Sequence, residues 1–268
     1  MEIRQSYLTR NPCYRAGRKI KVKGLMLHSV GCPQPSASVF IRNWNSETYN
    51  RACVHGFIDA NDGVVYQTLP WDHRGWHGGG SSNNTHIGVE MCEPACIRYT
   101  TGANFTCSDR ADAVAAVERT YRAAVGLFAM LCEQFGLDPL ADGVIVSHRE
   151  GHARGIASNH GDPEHLWRGL DLPYTMDTFR QAVYERMTGK EDDDMDVTRF
   201  KELWTQMRQE LQDNDAGEYS KEARQWAVDN GIIHGGDSTQ FNGMWQDMLT
   251  REQMVTVLYR FAQVIGKV

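Results

Sequence analysis

Apolar residues are spaced along this 268-residue chain in two ways, and each spacing predicts its own elements. Short β-branched runs predict strands. Residues 20–31 (IKVKGLMLHSVG) read as a first core strand with Gly31 as a turn, and residues 144–146 (Val-Ile-Val) as a buried strand too short to be a helix. Runs at 54–59 and 64–67 flank Ala60-Asn61-Asp62-Gly63, a turn that supplies the positive φ angles a hairpin needs. Residues 86–90 (His-Ile-Gly-Val-Glu) alternate and predict a third strand. Apolar steps of three and four predict helices at 36–44, capped by Ser36 or Ser38, at 108–135, capped by Ser108 and stopped by Gly136 and Pro139, and at 178–187. In the second of these Val114, Val117, Tyr121, Val125, Phe128, Leu131 and Phe135 form a core stripe. Strands alternating with helices predict an α/β domain over residues 1–188.

Near residue 189 the pattern changes. Gly189-Lys190-Glu191-Asp192-Asp193-Asp194 has nothing to bury, and residues 189–197 are expected to form an acidic linker. Beyond it, residues 198–268 predict a small all-α domain. Its helices fall at about 197–212, with Phe200, Leu203, Trp204, Met207 and Leu211 on one face, at 219–233 and at 249–261.

Charge sharpens that division. The formal net charge is −6, yet residues 1–190 hold 20 Lys and Arg against 19 Asp and Glu, while residues 191–268 hold 8 against 15. With no basic face to meet phosphates, a nucleic-acid partner is not expected. No stretch approaches the length of a membrane-spanning helix, so no membrane insertion is expected either. The opening MEIRQSYLTRNPCYRAGRK lacks the apolar segment of a secretory signal, so the expectation is a chain made in the cytoplasm without a signal peptide. An odd count of seven cysteines, all in the first half, then suits reduced thiols. Cys92, Cys96 and Cys107 could alternatively form a metal knuckle, although their spacing is not a standard one.

The candidate chemistry gathers where strands end. His28 closes the first strand and His148 follows the run at 144–146; His160 and Asp162 come next in one Gly- and Ser-containing loop ahead of Pro163. His28, His148 and Asp162 could supply three ligands and leave a fourth position for water, the arrangement of a catalytic zinc. His152, four residues after His148, is an alternative ligand if that segment is helical. Glu90 ends the third strand. Residues 71–84 (WDHRGWHGGGSSNN) concentrate aromatic rings and imidazoles on a Gly-rich loop, which reads as a cleft wall. His55, Trp76 and His77 are the expected substrate-groove residues, and His86, His165 and His234 the structural histidines.

Four blocks, GLMLHSV, VHGFIDANDGVVYQTLPWDHRGWHGG, HIGVE and SHREGHARGIASNHGDP, resemble the type-2 N-acetylmuramoyl-L-alanine amidases in order and spacing. The resemblance covers about residues 20–188. It implies the fold shared with peptidoglycan-recognition proteins: a central mixed β-sheet flanked by helices, with a zinc groove at the strand ends. It implies His28, His148 and Asp162 as Zn2+ ligands, Glu90 as the catalytic carboxylate, and His160 as the oxyanion donor where many members place Lys. Some members carry Tyr just before the residue matching His55; Val54 stands there, which leaves Glu90 as the general base. The C-terminal EYSKEARQWAVDNGIIHGG…LTREQMVTVLYRFA resembles one S-layer-homology-type repeat. That implies either a secondary cell-wall polymer as partner or a homo-oligomer formed through residues 198–268.

The function so implied is a zinc-dependent peptidoglycan hydrolase cutting between N-acetylmuramic acid and L-alanine, a phage or prophage endolysin that reaches the wall after release. The alternatives are a cytosolic muropeptide-recycling amidase, a non-catalytic peptidoglycan receptor, and a metallopeptidase acting on cross-bridge peptides.

Overall fold

The run Leu25-Met26-Leu27 is buried on both sides because it lies inside a sheet. In the computed structural model, which describes residues 1–189, 197–210, 216–234, 245 and 250–267, the chain divides into two compact units, Met1–Glu191 and Asp192–Val268. The strands of the first unit are β1 (Ile3–Gln5), β2 (Gly24–Ser29), β3 (Gly56–Ile58), β4 (Val65–Gln67), β5 (His86–Met91), β6 (Ile97–Tyr99), β7 (Phe105–Cys107) and β8 (Ile145–Ser147). Its helices are α1 (Pro12–Ala16), α2 (Ala37–Trp44), α3 (Arg110–Phe135), α4 (His148–Ala153), α5 (Glu164–Gly169) and α6 (Met176–Thr188).

Six strands form one mixed sheet in the order β1-β4-β3-β5-β2-β8. Its pairings are parallel except β3 with β4, the hairpin expected from the Asn-Asp-Gly turn, where Gly63 has φ 75°. Side chains alternate across a strand, so the register decides which residues meet. Leu25 and Leu27 of β2, Ile87 and Val89 of β5 and Ile145 of β8 share one apolar cluster with α3 and α6. Met26, His28, Gly88 and Glu90 take the opposite face, with His28 directly beside Glu90. Helix α2 covers part of that second face through Phe40, whose ring stacks on Phe57 at 5.1 Å, and through Trp44. The polar chemistry therefore lies across the sheet from the long helix.

The structure moves several sequence boundaries. The first core strand begins at Gly24, four residues later than expected, because the amides of Ile20 and Lys23 donate instead to the loop carbonyls of Asp72 and Thr85. Ser108 does not cap α3. Its hydroxyl donates to the Cys96 carbonyl, and Asp109 accepts from the Asp112 amide in its place. Gly136, at φ 63°, ends that helix as expected. The edge strand β1 carries no sequence signal, being three partly exposed residues.

In the second unit α7 (Val197–Glu210), a 3-10 turn (Glu218–Ser220), α8 (Lys221–Asp229) and α9 (Arg251–Val264) are all helical. Thr250 and Gln253 form a reciprocal cap at the start of α9, the role the Leu-Thr-Arg-Glu-Gln string suggests. Trp226 meets Phe261 edge-on at 6.4 Å, and Ile232 is buried. Most of the expected linker (residues 190–196) lies outside the described residues, as do Leu211 and Leu249. Among the described residues no helix is long and apolar enough to cross a membrane.

Candidate metal centre

Three elements bring His28, His148 and Asp162 together. His28 is the next-to-last residue of β2, a strand buried along its whole length. His148 is the first residue of α4, fixed by a capping box in which Ser147 and Glu150 bond reciprocally across the strand-to-helix junction. Asp162 is drawn in by the Ser29 amide, which donates to its Oδ2 at 3.4 Å. His28 Nδ1 lies 3.1 Å from His148 Nδ1 and 3.2 Å from Asp162 Oδ2; His148 Nδ1 is 3.5 Å from Asp162 Oδ1. One ligand atom from each residue lies within 4.8 Å of the other two, the only such group of His, Cys, Asp and Glu among the described residues.

This donor set fits a divalent cation. Two imidazole nitrogens point at each other, an arrangement that repels unless something positive lies between them, and a carboxylate faces both. The opposite ring nitrogens are already engaged, His28 Nε2 with His77 and His148 Nε2 with the Ser158 hydroxyl at 3.1 Å. Burial opposes ionisation of Asp162, but the two imidazoles against it, His148 and His28, more than offset that and hold the carboxyl well below the usual range.

The group opens into a groove of 730 Å³ whose lining includes Glu90, Trp76, Tyr99, His160 and His165. Among the described residues Glu90 has no arginine partner, and its Oε2 is buried without a hydrogen bond. Burial, then the neighbouring Asp162 and Glu93 charges, raise its pKa well above the ordinary carboxylate value. His160 packs against the His148 ring at a centroid distance of 4.4 Å and holds its Nδ1 3.1 Å from Ser158 Oγ.

Not every expected residue reaches the groove. Trp76 lines it and is 46% exposed, and His77 lines it from below. His55 does not. Its ring is fully buried, with Nε2 at the His73 carbonyl (2.7 Å) and Nδ1 accepting from the Gly88 amide (3.0 Å). His152 sits on a helix as the alternative ligand would require, yet its side chain is exposed and turned to the Ala157 carbonyl. Cys92 is buried in the apolar cluster around Phe57, and all seven cysteines are free thiols. His165, expected to be structural, lines the groove and joins a chain that sequence reading did not assemble. The Gly31 amide donates to Glu93 Oε1 (2.9 Å), the Tyr99 hydroxyl to Glu93 Oε2 (2.7 Å), and His165 Nε2 lies 2.5 Å from that hydroxyl.

The buried histidines carry a pH signature. Desolvation, the largest cause, lowers the His55 pKa from 6.5 to about 4, and burial also lowers His86. Above pH 6.5 both folded and unfolded states are neutral at His55, and as pH falls the unfolded chain takes up the proton first. Stability is thus lost between about pH 6.5 and pH 4, by about 3 kcal/mol for His55 alone at 1.36 kcal/mol per pKa unit. Thermal melts of the chelator-treated protein should drop clearly from pH 7 to pH 5; equal melting temperatures would contradict the buried neutral imidazole.

Comparison with known proteins agrees with this geometry. A family model described as N-acetylmuramoyl-L-alanine amidase, Amidase_2, matches residues 18–165. The N-acetylmuramoyl-L-alanine amidase CwlH of Bacillus subtilis (strain 168) is 43% identical over 61 residues, which are 21% of this chain and 22% of CwlH, so the alignment spans less than a quarter of either protein. The Staphylococcus aureus hydrolase AmiA, solved in complex with its ligand, superposes with a TM-score of 0.54 at 21% identity. That match covers 71% of this chain and 85% of AmiA, and the likeness is one of fold. The family match takes in more than half of the chain, from before His28 to beyond Asp162, and the chain belongs to the N-acetylmuramoyl-L-alanine amidase family Amidase_2.

Proposed function

We propose that this protein is a zinc-dependent amidase that cleaves the bond between N-acetylmuramic acid and L-alanine in peptidoglycan, and that it works as a phage or prophage endolysin. The observation that carries the reading is Glu90: a carboxylate with a buried, unpartnered oxygen beside the His28, His148 and Asp162 group, in the same groove. Two imidazoles and one carboxylate suit zinc, which with three protein ligands keeps a position for water. Bound zinc would lower the pKa of its water to about 7 and polarise the scissile carbonyl.

The side chains supply the rest. Glu90 takes the proton of the attacking water and returns it to the leaving amine of L-alanine, the cycle of a general base and acid. A raised pKa makes Glu90 a stronger base than an ordinary carboxylate and keeps its acid form populated until the amine departs. His160 keeps Nδ1 on Ser158, which leaves Nε2 to donate to the carbonyl oxygen as negative charge develops there. Trp76, exposed on the groove wall, offers an apolar face to the substrate. A complete set of ligands with Glu90 beside them weighs against a receptor that only binds.

Residues 198–268 are read as a wall-binding or self-associating module. Phe200, Leu203, Trp204 and Met207 form an exposed apolar stripe along α7, and Leu258 and Phe261 are exposed on α9. A chain ending at Lys190 is expected to cleave soluble muropeptides at nearly the full rate and to lose activity on intact cells, since the module's contribution is effective concentration at the wall. Light scattering on both chains separates wall targeting, which leaves both monomeric, from self-association, which makes only the full chain larger. Equal lysis of whole cells by the two chains would contradict both roles.

A further inference from the structure

We infer that His77 is a positioning residue that fixes which nitrogen of His28 faces the metal. The inference rests on the reading of His28 as a metal ligand. His77 Nε2 lies 3.0 Å from the His86 carbonyl, and His77 Nδ1 lies 3.0 Å from His28 Nε2. A carbonyl oxygen only accepts, so His77 Nε2 carries the proton. The neutral ring then has a bare Nδ1, which accepts from His28 Nε2–H. That leaves His28 Nδ1 unprotonated, and Nδ1 is the atom that faces His148 and Asp162. A backbone carbonyl of β5 thus sets the tautomer of a ligand on β2 through one intervening imidazole.

The surroundings hold that imidazole in place. The amides of His77 and Gly78 both donate to Asn83 Oδ1, at 2.8 and 2.9 Å, and Asn83 is 1% exposed. Beneath the ring lies Gly88 of β5, where a Cβ would come within 2.3 Å of His77 Cγ and 2.4 Å of its Nδ1. The glycine between Ile87 and Val89 therefore makes room for this ring. Gly88 and His77 are two parts of one device.

Removing the acceptor leaves a buried His28 N–H unpaired and frees the ring to carry its proton on the metal side. His77→Phe keeps the ring and loses the acceptor; His77→Asn keeps an acceptor oxygen at the position of Nδ1. Zinc affinity, measured by competition with a chelating indicator, should fall by about 10- to 100-fold in His77→Phe and recover most of that loss in His77→Asn. Gly88→Ala should also weaken zinc binding in the natural background, and should cost little more once His77 is already Ala, because the two act through one contact. Nitrogen-15 spectra of the protein as purified should show His77 protonated at Nε2 and bare at Nδ1, whether or not zinc is bound. Wild-type zinc affinity in His77→Phe, or a proton on His77 Nδ1, would overturn the relay. Failure of the natural protein to bind zinc would instead overturn the proposed function, and the nitrogen spectra would still decide the hydrogen-bond chain.

Discussion

Asp162→Ala should leave a folded protein that no longer retains zinc and no longer cleaves substrate. Asp162 is the only anionic member of the proposed ligand group, and its two oxygens face both imidazoles, at 3.2 and 3.5 Å. Without it His28 Nδ1 and His148 Nδ1 remain 3.1 Å apart with no negative charge to compensate a dication. A two-ligand site has lost one of the three protein ligands that a catalytic zinc requires. His28→Ala and His148→Ala should behave alike. Elemental analysis after dialysis is the check, and full zinc occupancy in any one of the three variants would remove that residue from the ligand set.

Glu90→Gln is expected to separate chemistry from metal binding. The substitution is nearly isosteric and keeps the side chain beside His28 in the sheet, so zinc should be retained. It removes the group that accepts the proton, and turnover should fall by about 100-fold or more, the usual worth of a positioned general base. Turnover on a soluble muropeptide, with zinc content measured in the same sample, decides the matter. Undiminished turnover would move the base role elsewhere in the groove, and the chain of Glu93, Tyr99 and His165 would be the place to look.

The site was legible in the sequence wherever the signal was local. His28 and His148 each follow a short apolar run, and Asp162 lies in the loop behind the second, so their meeting required only that the two runs be neighbouring strands, which β2 and β8 are. The hairpin, α2 and α3 were legible for the same reason: turn chemistry and periodicity act over a few residues. What failed depended on contacts far apart in the chain. His55 is a polar residue at the start of a hairpin strand, and nothing local tells a groove wall from a ring buried between the His73 carbonyl and the Gly88 amide. His165 reads as structural until Tyr99, 66 residues earlier, meets it. Ser108 and Asp109 are both good caps, and the hydroxyl's bond to Cys96 settles which one is used. His77 reads as a wall residue, and its contact with His28 spans 49 positions.

The most direct test of amide cleavage at the His28, His148 and Asp162 group uses isolated peptidoglycan. Digest it with the natural chain, with the chain after chelator treatment, and with that sample after zinc is restored, and identify the new ends by mass spectrometry. The expected result is free L-alanine N-termini and intact lactyl groups on muramic acid, lost with the chelator and regained with zinc. New reducing sugar ends, N-termini at other stem or cross-bridge residues, or cleavage indifferent to the chelator would contradict it.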